Sequence, residues 1–210
     1  MAVKKGKLET NTSTEEKIKN AARIVFHKKG FAATRTRDIA EEAGINLALL
    51  NYYFRSKEKL FDIVIFETLQ HFFKSIAEVF KNEKTTLDNK IETIAASYID
   101  LLTANPNIPL FLMSELKMQP DELVTKMGMK EMVMNSSFLK QFQQGVKEGK
   151  IIPVHPLHFM MNLMSMTIFP FVASPMIKGL GDLSQKQFEE FMEQRKLLIP
   201  KWIKATLKAK

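Results

Sequence analysis

The sequence predicts an all-α fold, in which a small N-terminal three-helix domain precedes a larger helical domain, with about nine helices in total. The first observation is that apolar residues recur at the three- and four-residue spacing of a helix face along most of the 210 residues. The second is that capping residues and prolines divide this pattern into segments of helix length. The third is that the strict alternation of apolar and polar residues, which is typical of β-strands, is nearly absent.

The helix boundaries are clearest at the N-terminus. A continuous apolar face predicts a first helix over about 14–29, and Gly30 is a suitable left-handed residue to end it. A short second helix is expected to begin near Thr34 or Thr36, either of which is a suitable N-cap, and to end at Gly44.

The remaining helices follow from the same signals. Asn46 is a good N-cap for a third helix that runs to Phe54, and Ser56 then caps a long fourth helix. We place the domain boundary there, with a first domain over residues 1–60 and a larger second domain over residues 61–210. Later helices are predicted at about 87–104, 106–117, 120–149, 155–172 and 184–207.

Positive charge is concentrated in the first of these domains. The chain has a net charge of +8, of which residues 1–60 contribute +6 and residues 61–210 contribute +2. A concentrated basic segment favours a polyanionic partner such as nucleic acid, although a basic solvated surface that binds nothing is the alternative. Lys4, Lys5 and Lys7 precede the first helix, where they form either a DNA-contacting arm or a disordered tail.

Several classes of protein are disfavoured. The chain has no cysteine, and His155 and His158 have no acidic neighbour to complete a metal site, so we expect no metal and no cofactor. Neither a glycine-rich phosphate loop nor a serine nucleophile motif is present, which disfavours an enzyme. The most apolar segment, residues 159–172, is shorter than a membrane span of about 20 residues. We therefore interpret it as a buried helix and expect a cytoplasmic protein with no membrane partner.

Residues 34–57 have the spacing of a helix-turn-helix. Ala40 permits close approach of two helices, Gly44 permits the tight turn between them, and Leu50 packs the second helix onto the first. The outward side of that second helix would then carry Leu47, Ala48, Asn51 and Tyr52. Asn51 suits an adenine edge, Leu47 and Ala48 suit thymine methyl groups, and Tyr52 suits a phosphate. An ordinary helical hairpin with a glycine turn is the alternative.

Residues 14–66 resemble the N-terminal domain of the tetracycline-repressor (TetR) family of bacterial regulators. The resemblance rests on the uninterrupted run from Ile18 through AARIVFHKKGFAATRTRDIAEEAGINLALLNYYFRSKEKLF. It implies a homodimeric regulator of transcription, by default a repressor, that binds a palindromic double-stranded DNA operator and is released by a small-molecule inducer. Position 47 is often Lys or Gln in relatives and position 49 is often Thr, whereas both are Leu here. We therefore expect the DNA-contacting positions to be Thr36, Arg37, Asn46, Leu47, Ala48, Asn51, Tyr52 and Lys57.

The resemblance also implies roles for the C-terminal domain. Eleven of the 13 methionines lie between Met113 and Met176, and a cavity lined by Met and Phe would favour an apolar or amphipathic ligand. The alternative is that these residues fill a helical core. Candidate pocket residues are Phe111, Met113, Met132, Phe138, Phe142, Met161, Met164 and Phe169. Candidates for a dimer interface on the last two long helices are Phe159, Met166, Phe188, Phe191, Met192, Leu198 and Trp202.

Two rival functions differ from this interpretation. An enzyme would turn over a substrate, and the sequence contains no motif for that chemistry. A non-specific architectural DNA-binding protein would share the basic surface but would not need the large second domain. Comparing affinity for specific and random DNA at several salt concentrations separates the sequence-reading regulator from the architectural protein.

Overall fold

The computed structural model describes residues 2–118 and 120–208, and it includes the side chains of these residues apart from 2–12, 120 and 122. The chain divides into two compact units, Met1–Leu69 and Gln70–Lys210. Throughout the described residues, the regular elements are helices, and the one β-type pairing is an isolated bridge between Ile151 and Lys208. The prediction of an all-α fold is confirmed.

The first unit contains three helices and the start of a fourth. In contrast to the prediction of a start near residue 14, α1 begins at Ala2, and its helical backbone is continuous across residue 14. Gly30 interrupts α1 with φ of 73°, as its predicted role at a helix end requires. The bounds are α1 Ala2–Ala33, α2 Thr36–Glu42, α3 Leu47–Tyr53 and α4 Lys57–Lys81. The division between the units falls inside α4, later than the expected boundary at residue 60.

The second unit has more helices than the sequence predicted. The segment predicted as one helix over 120–149 is three, because Gly128 adopts φ of 59° and Ser136 caps a new helix by accepting from the Leu139 amide. A further short helix follows Ala173, bringing the described elements to twelve rather than about nine. The bounds are α5 Leu87–Ala104, α6 Ile108–Met118, α7 Pro120–Lys126, α8 Met129–Met134, α9 Ser137–Lys147, α10 Pro156–Val172, α11 Ser174–Leu180 and α12 Gln185–Leu207.

Aromatic side chains form the core of the second unit. The Phe138 ring lies 4.6 Å from that of Phe80 and 5.1 Å from that of Phe159, and Phe142 lies 5.9 Å from Phe159. All four rings are almost fully buried within the single chain. These contacts join α4, α9 and α10, while α5 packs mainly against α12 and also against α10 and α9.

The side chain of Lys90, on α5, is fully buried in this unit. Its ammonium donates to the carbonyl oxygens of Asn82 and Thr85 at 2.6 and 2.7 Å and to Oε1 of Gln141 at 3.1 Å. The burial of this side chain lowers the pKa of Lys90. The contacts tie the connection between α4 and α5 to α9.

The helix α10 is buried on one side only, which corrects the prediction of a buried helix. Phe159, Leu163 and Phe171 face the core, whereas Met161 and Phe169 are more than half exposed. The described part of the chain therefore leaves the second side of α10 open to solvent. Within the described residues no single helix has the length and apolarity to cross a membrane, and α10 with α11 would do so only as a pair bent by 71°.

A proline and an arginine connect α10 to α12. Pro170 lies inside α10 and has no N–H, so the Met166 carbonyl one turn earlier lacks its usual helical donor. Nη2 of Arg195, on α12, donates to that carbonyl at 2.8 Å. The arginine thus supplies the hydrogen bond that the proline removes.

Candidate nucleic-acid interface and ligand site

The segment from α2 to α3 has the geometry predicted for a helix-turn-helix. Gly44 adopts φ of 64° in the turn, and the Ile45 amide donates to the Ala40 carbonyl at 3.0 Å. Ile39, Ala40 and Leu50 are buried, so α3 packs against α2 through the small and apolar residues that the spacing predicts. The turn and this packing therefore fix the orientation of α3 relative to α2.

The opposite side of α3 is exposed. Ala48, Asn51 and Tyr52 are exposed, with Tyr52 76% accessible, and Leu47 is partly exposed. Oδ1 of Asn46 accepts from the Leu49 amide at 2.8 Å, as an N-cap does, so its amide nitrogen is the group left to face a partner. The structure places the predicted α3 residues together on one short helix.

The start of α2 is held by side chains rather than by the predicted threonine caps. Arg35 occupies the N-cap position, and its amide donates to the Asp38 carboxylate at 2.9 Å. That bond and the Lys29 ammonium, 3.1 Å from the same carboxylate, lower the pKa of Asp38. Thr34 is buried and donates to the Gly30 carbonyl, so it cannot cap α2. Thr36 is the first residue of the helix and is partly exposed, and Arg37 beside it is exposed.

Lys57 differs from the other predicted contact residues because its charge is used inside the protein. Its ammonium donates to the carbonyl oxygens of Phe31 and Thr34 at 3.0 and 3.1 Å and lies 4.2 Å from the centre of the Phe31 ring. These contacts join the start of α4 to the end of α1. The side chain positions the helices around the site in this structure and does not extend from it.

An ion-pair network holds α4 against α1 in the same unit. The Lys19 ammonium is nearly buried, lies 2.7 Å from the Glu67 carboxylate and also contacts Glu16, while Arg23 contacts Glu67 as well. Burial alone would lower the pKa of Lys19, but the hydrogen bonds that its ammonium donates to Glu16 and Glu67 outweigh the burial and raise that pKa. The pairs stabilise the packing that supports α2 and α3.

Three exposed residues at the site were not selected from the sequence. Arg35 is the N-cap residue of α2, Arg55 lies two residues after the end of α3, and Leu49 lies within α3 with 36% of its surface accessible. The two arginines could have been found as cations that flank the predicted helix α3. Leu49 was noted as a departure from the Thr common at this position, but it was not selected as a contact, because an apolar residue in a helix is normally assigned to the core.

The predicted ligand-pocket residues do not line one cavity. Phe138 and Phe142 are packed into the aromatic core, which corrects their assignment to a pocket wall. Met113, Met161 and Phe169 are exposed on the surface of the chain, which corrects theirs as well. Two others, on α6 and α10, are partly exposed; they are Phe111 and Met164.

Clefts are open at several places in the second unit. One, of about 280 Å³, lies beside α4 and includes the predicted residue Met132 together with Phe73 and Met127. A second, of about 670 Å³, runs between α5 and α12, and another, of about 640 Å³, lies between α5, α9 and the end of α12. Among the described residues, those that line the two larger clefts include none of the predicted pocket residues.

The predicted dimer residues separate into two groups. Phe159, Phe188 and Met192 are at most 3% exposed, so they belong to the core and their assignment to an interface is corrected. Phe191 and Trp202 are 52% and 40% exposed on α12. Met166 and Leu198 are partly exposed. Four further apolar side chains on α10 and α12 are also exposed: Leu157, Met161, Phe169 and Leu197.

The N-terminal lysines Lys4, Lys5 and Lys7 have side chains outside the described residues, so their predicted arm stays a prediction.

Comparison with known proteins gives consistent matches. Residues 18–64 match the family model described as bacterial regulatory proteins, tetR family. The HTH-type transcriptional regulator RutR of Escherichia coli is 31% identical over 171 residues, which cover 77% of this chain and 76% of RutR. The probable HTH-type transcriptional regulator YttP of Bacillus subtilis is 26% identical over 165 residues, which cover 76% of this chain and 78% of YttP.

The fold has counterparts among solved structures. A TetR transcription regulator from Haloarcula marismortui superposes with a TM-score of 0.63 over 94% of this chain and 100% of its own, at 18% identity. That likeness concerns the fold, including the arrangement of an N-terminal helix-turn-helix followed by a helical C-terminal domain.

Proposed function

Because this chain belongs to the TetR family of bacterial regulatory proteins, we propose that it is a homodimeric repressor that binds a palindromic DNA operator and is released by a small ligand. The observation that carries the proposal is the exposed side of α3. Ala48, Asn51 and Tyr52 are solvent-accessible on a helix whose other side is anchored by Leu50. A recognition helix needs this division, since one face must pack and the other must reach base edges in the major groove.

The DNA-contacting residues are assigned by exposure. Asn51, Ala48 and Leu47 read bases from α3, and Tyr52 and Arg37 contact phosphates. Thr36 and Asn46 contribute hydrogen-bonding groups at the starts of the two helices. Lys57 positions the unit through its internal contacts.

Dimerisation through α10 and α12 is supported by their uncovered apolar side chains. Met161, Phe169, Phe191 and Leu197 are each more than half exposed, which is an unusual amount of apolar surface for two neighbouring helices to leave in water. A two-fold interface on these helices would cover it and would pair two reading helices for a palindromic site.

We assign the ligand to the second unit, and the cleft beside α4 is the best-supported site. Phe73, Met127 and Met132 provide an apolar lining. Charged residues of both signs, Lys74, Lys81, Lys126 and Glu131, also line the cleft, which suits an amphipathic molecule. The helix α4 begins directly after the reading segment, so a ligand bound there would act on a helix that both units share. Release then follows if the ligand prefers a conformation with lower DNA affinity.

The experiment that tests the proposal is selection of bound DNA from a random-sequence pool at about 0.15 M salt, where weak phosphate attraction is screened. We expect a two-fold symmetric motif for the wild-type protein. Asn51→Ala should relax base choice at one position of each half-site, and Tyr52→Phe should weaken binding to all sequences by a similar factor.

Two outcomes would contradict the proposal. Recovery of no motif by a folded, dimeric protein would favour the architectural alternative, in which affinity depends on salt but not on sequence. An asymmetric motif would argue against two equivalent reading helices.

A further inference from the structure

The first turn of α3 is entirely apolar. Leu47, Ala48 and Leu49 are its first three residues, and Ala48 and Leu49 are exposed. The core does not need Leu49, because Leu50 and Phe54 already pack the helix and are 1% and 5% exposed. This apolar turn lies on the same exposed side of α3 as Asn51, so its side chains are available to a partner that contacts that side.

An N-cap hydrogen bond holds the backbone of this first turn. Oδ1 of the Asn46 side chain accepts a hydrogen bond from the Leu49 amide at 2.8 Å. This bond holds the backbone of the turn at Leu49. Ordering this turn on binding would therefore cost less conformational entropy than ordering an uncapped turn.

The chemistry of α3 selects among base pairs. Its sequence, LALLNYY, contains neither Arg nor Lys, the side chains that make the commonest contact with guanine. Apolar side chains instead contact the thymine methyl group, and an amide such as that of Asn51 pairs with adenine. Every base-reading group that α3 exposes thus favours an A·T pair.

We infer that Leu49 is a specificity-determining residue which, with Leu47 and Ala48, reads thymine methyl groups, so that the bases facing α3 are A·T pairs. The inference rests on the proposed DNA-binding function and names the base pairs that it selects. Contact of one methyl group with an apolar side chain corresponds to roughly a fourfold change in affinity, by the transfer free energy of one buried carbon.

The test uses the operator obtained by selection, with single thymines replaced by deoxyuridine. This change removes the 5-methyl group and leaves the Watson–Crick pairing intact. We expect deoxyuridine to weaken binding roughly fourfold at one or more thymines in each half-site, measured by fluorescence anisotropy at constant salt. In Leu49→Ala the penalty at the thymine facing Leu49 should disappear, while penalties at other thymines should remain.

Ile63→Ala is the matched control, because Ile63 is 39% exposed on α4 and lies outside the reading helix. This variant should show the same deoxyuridine penalties as the wild type. If the wild type binds the operator tightly but no deoxyuridine substitution weakens it, the inference is overturned and DNA binding stands. If a guanine-rich motif is selected under α3, the inference is likewise overturned. If no sequence is selected at all, the proposed function fails together with it.

Discussion

At the scale of single residues, burial and hydrogen bonding separate side chains of the same type. Lys57 donates to two backbone carbonyls, whereas Lys59, two residues later, is exposed. A sequence comparison places Lys57 among DNA contacts, and its geometry makes it a bridge between α1 and α4. The acceptors precede it by 26 and 23 residues, so no local pattern could have indicated them.

We predict that Lys57→Met destabilises the N-terminal unit by about 1–3 kcal/mol, because two carbonyls lose a charged donor. The matched control Lys59→Met should change stability by less than about 0.5 kcal/mol, as surface substitutions generally do. Urea unfolding monitored by circular dichroism gives both values. A Lys57→Met protein with unchanged stability and weakened operator binding would instead make this side chain a phosphate contact.

At the scale of helices, periodicity predicted where helices lie better than where they stop. The caps Asn46 and Ser56 were predicted correctly, because their side chains bind the amides that a helix start leaves free. The region predicted as one helix over 120–149 contains breaks at Gly128 and Ser136. Glycine and serine also occur inside helices, so an apolar pattern that continues across them does not reveal a break.

The link between α10 and α12 gives a prediction for a pair of residues. Arg195→Met should lower the free energy of unfolding by about 1–3 kcal/mol, because the Met166 carbonyl then has neither the arginine nor a helical amide as a donor. In a Pro170→Ala background, Arg195→Met should lower the free energy of unfolding by less than half as much. The alanine at position 170 restores a backbone N–H one turn after Met166. Unfolding free energies of the four proteins, measured at one protein concentration, give the coupling.

Equal costs of Arg195→Met in the two backgrounds would show that the arginine acts through another contact, such as the Trp202 ring 5.2 Å away. Lys201→Met is the control on the same helix, because Lys201 is exposed, and its small effect should be the same in the Pro170→Ala background.

At the scale of the whole molecule, the sequence predicted the fold class and the family, but it did not predict which apolar faces would be covered. Phe188 and Phe191 are both aromatic and lie three residues apart on α12, yet one is 3% and the other 52% exposed. Helical periodicity places residues on faces without saying which face has a partner. For the same reason methionine content indicated a cavity, although Met113 and Met161 lie on the surface.

The exposed members of α10 and α12 lead to a prediction about assembly. Phe191→Asp should leave the folded chain intact, because half of this ring is already exposed to solvent. It should weaken the proposed dimer by placing a carboxylate in the surface that we propose a second copy covers. Sedimentation equilibrium should then show mainly monomer at micromolar concentration, and operator affinity should fall at least about tenfold, since one reading helix replaces two. Leu180→Asp is the control, because Leu180 is an 81% exposed apolar residue on α11, outside both helices. A Phe191→Asp protein that remains dimeric with wild-type affinity would place the interface elsewhere on the chain.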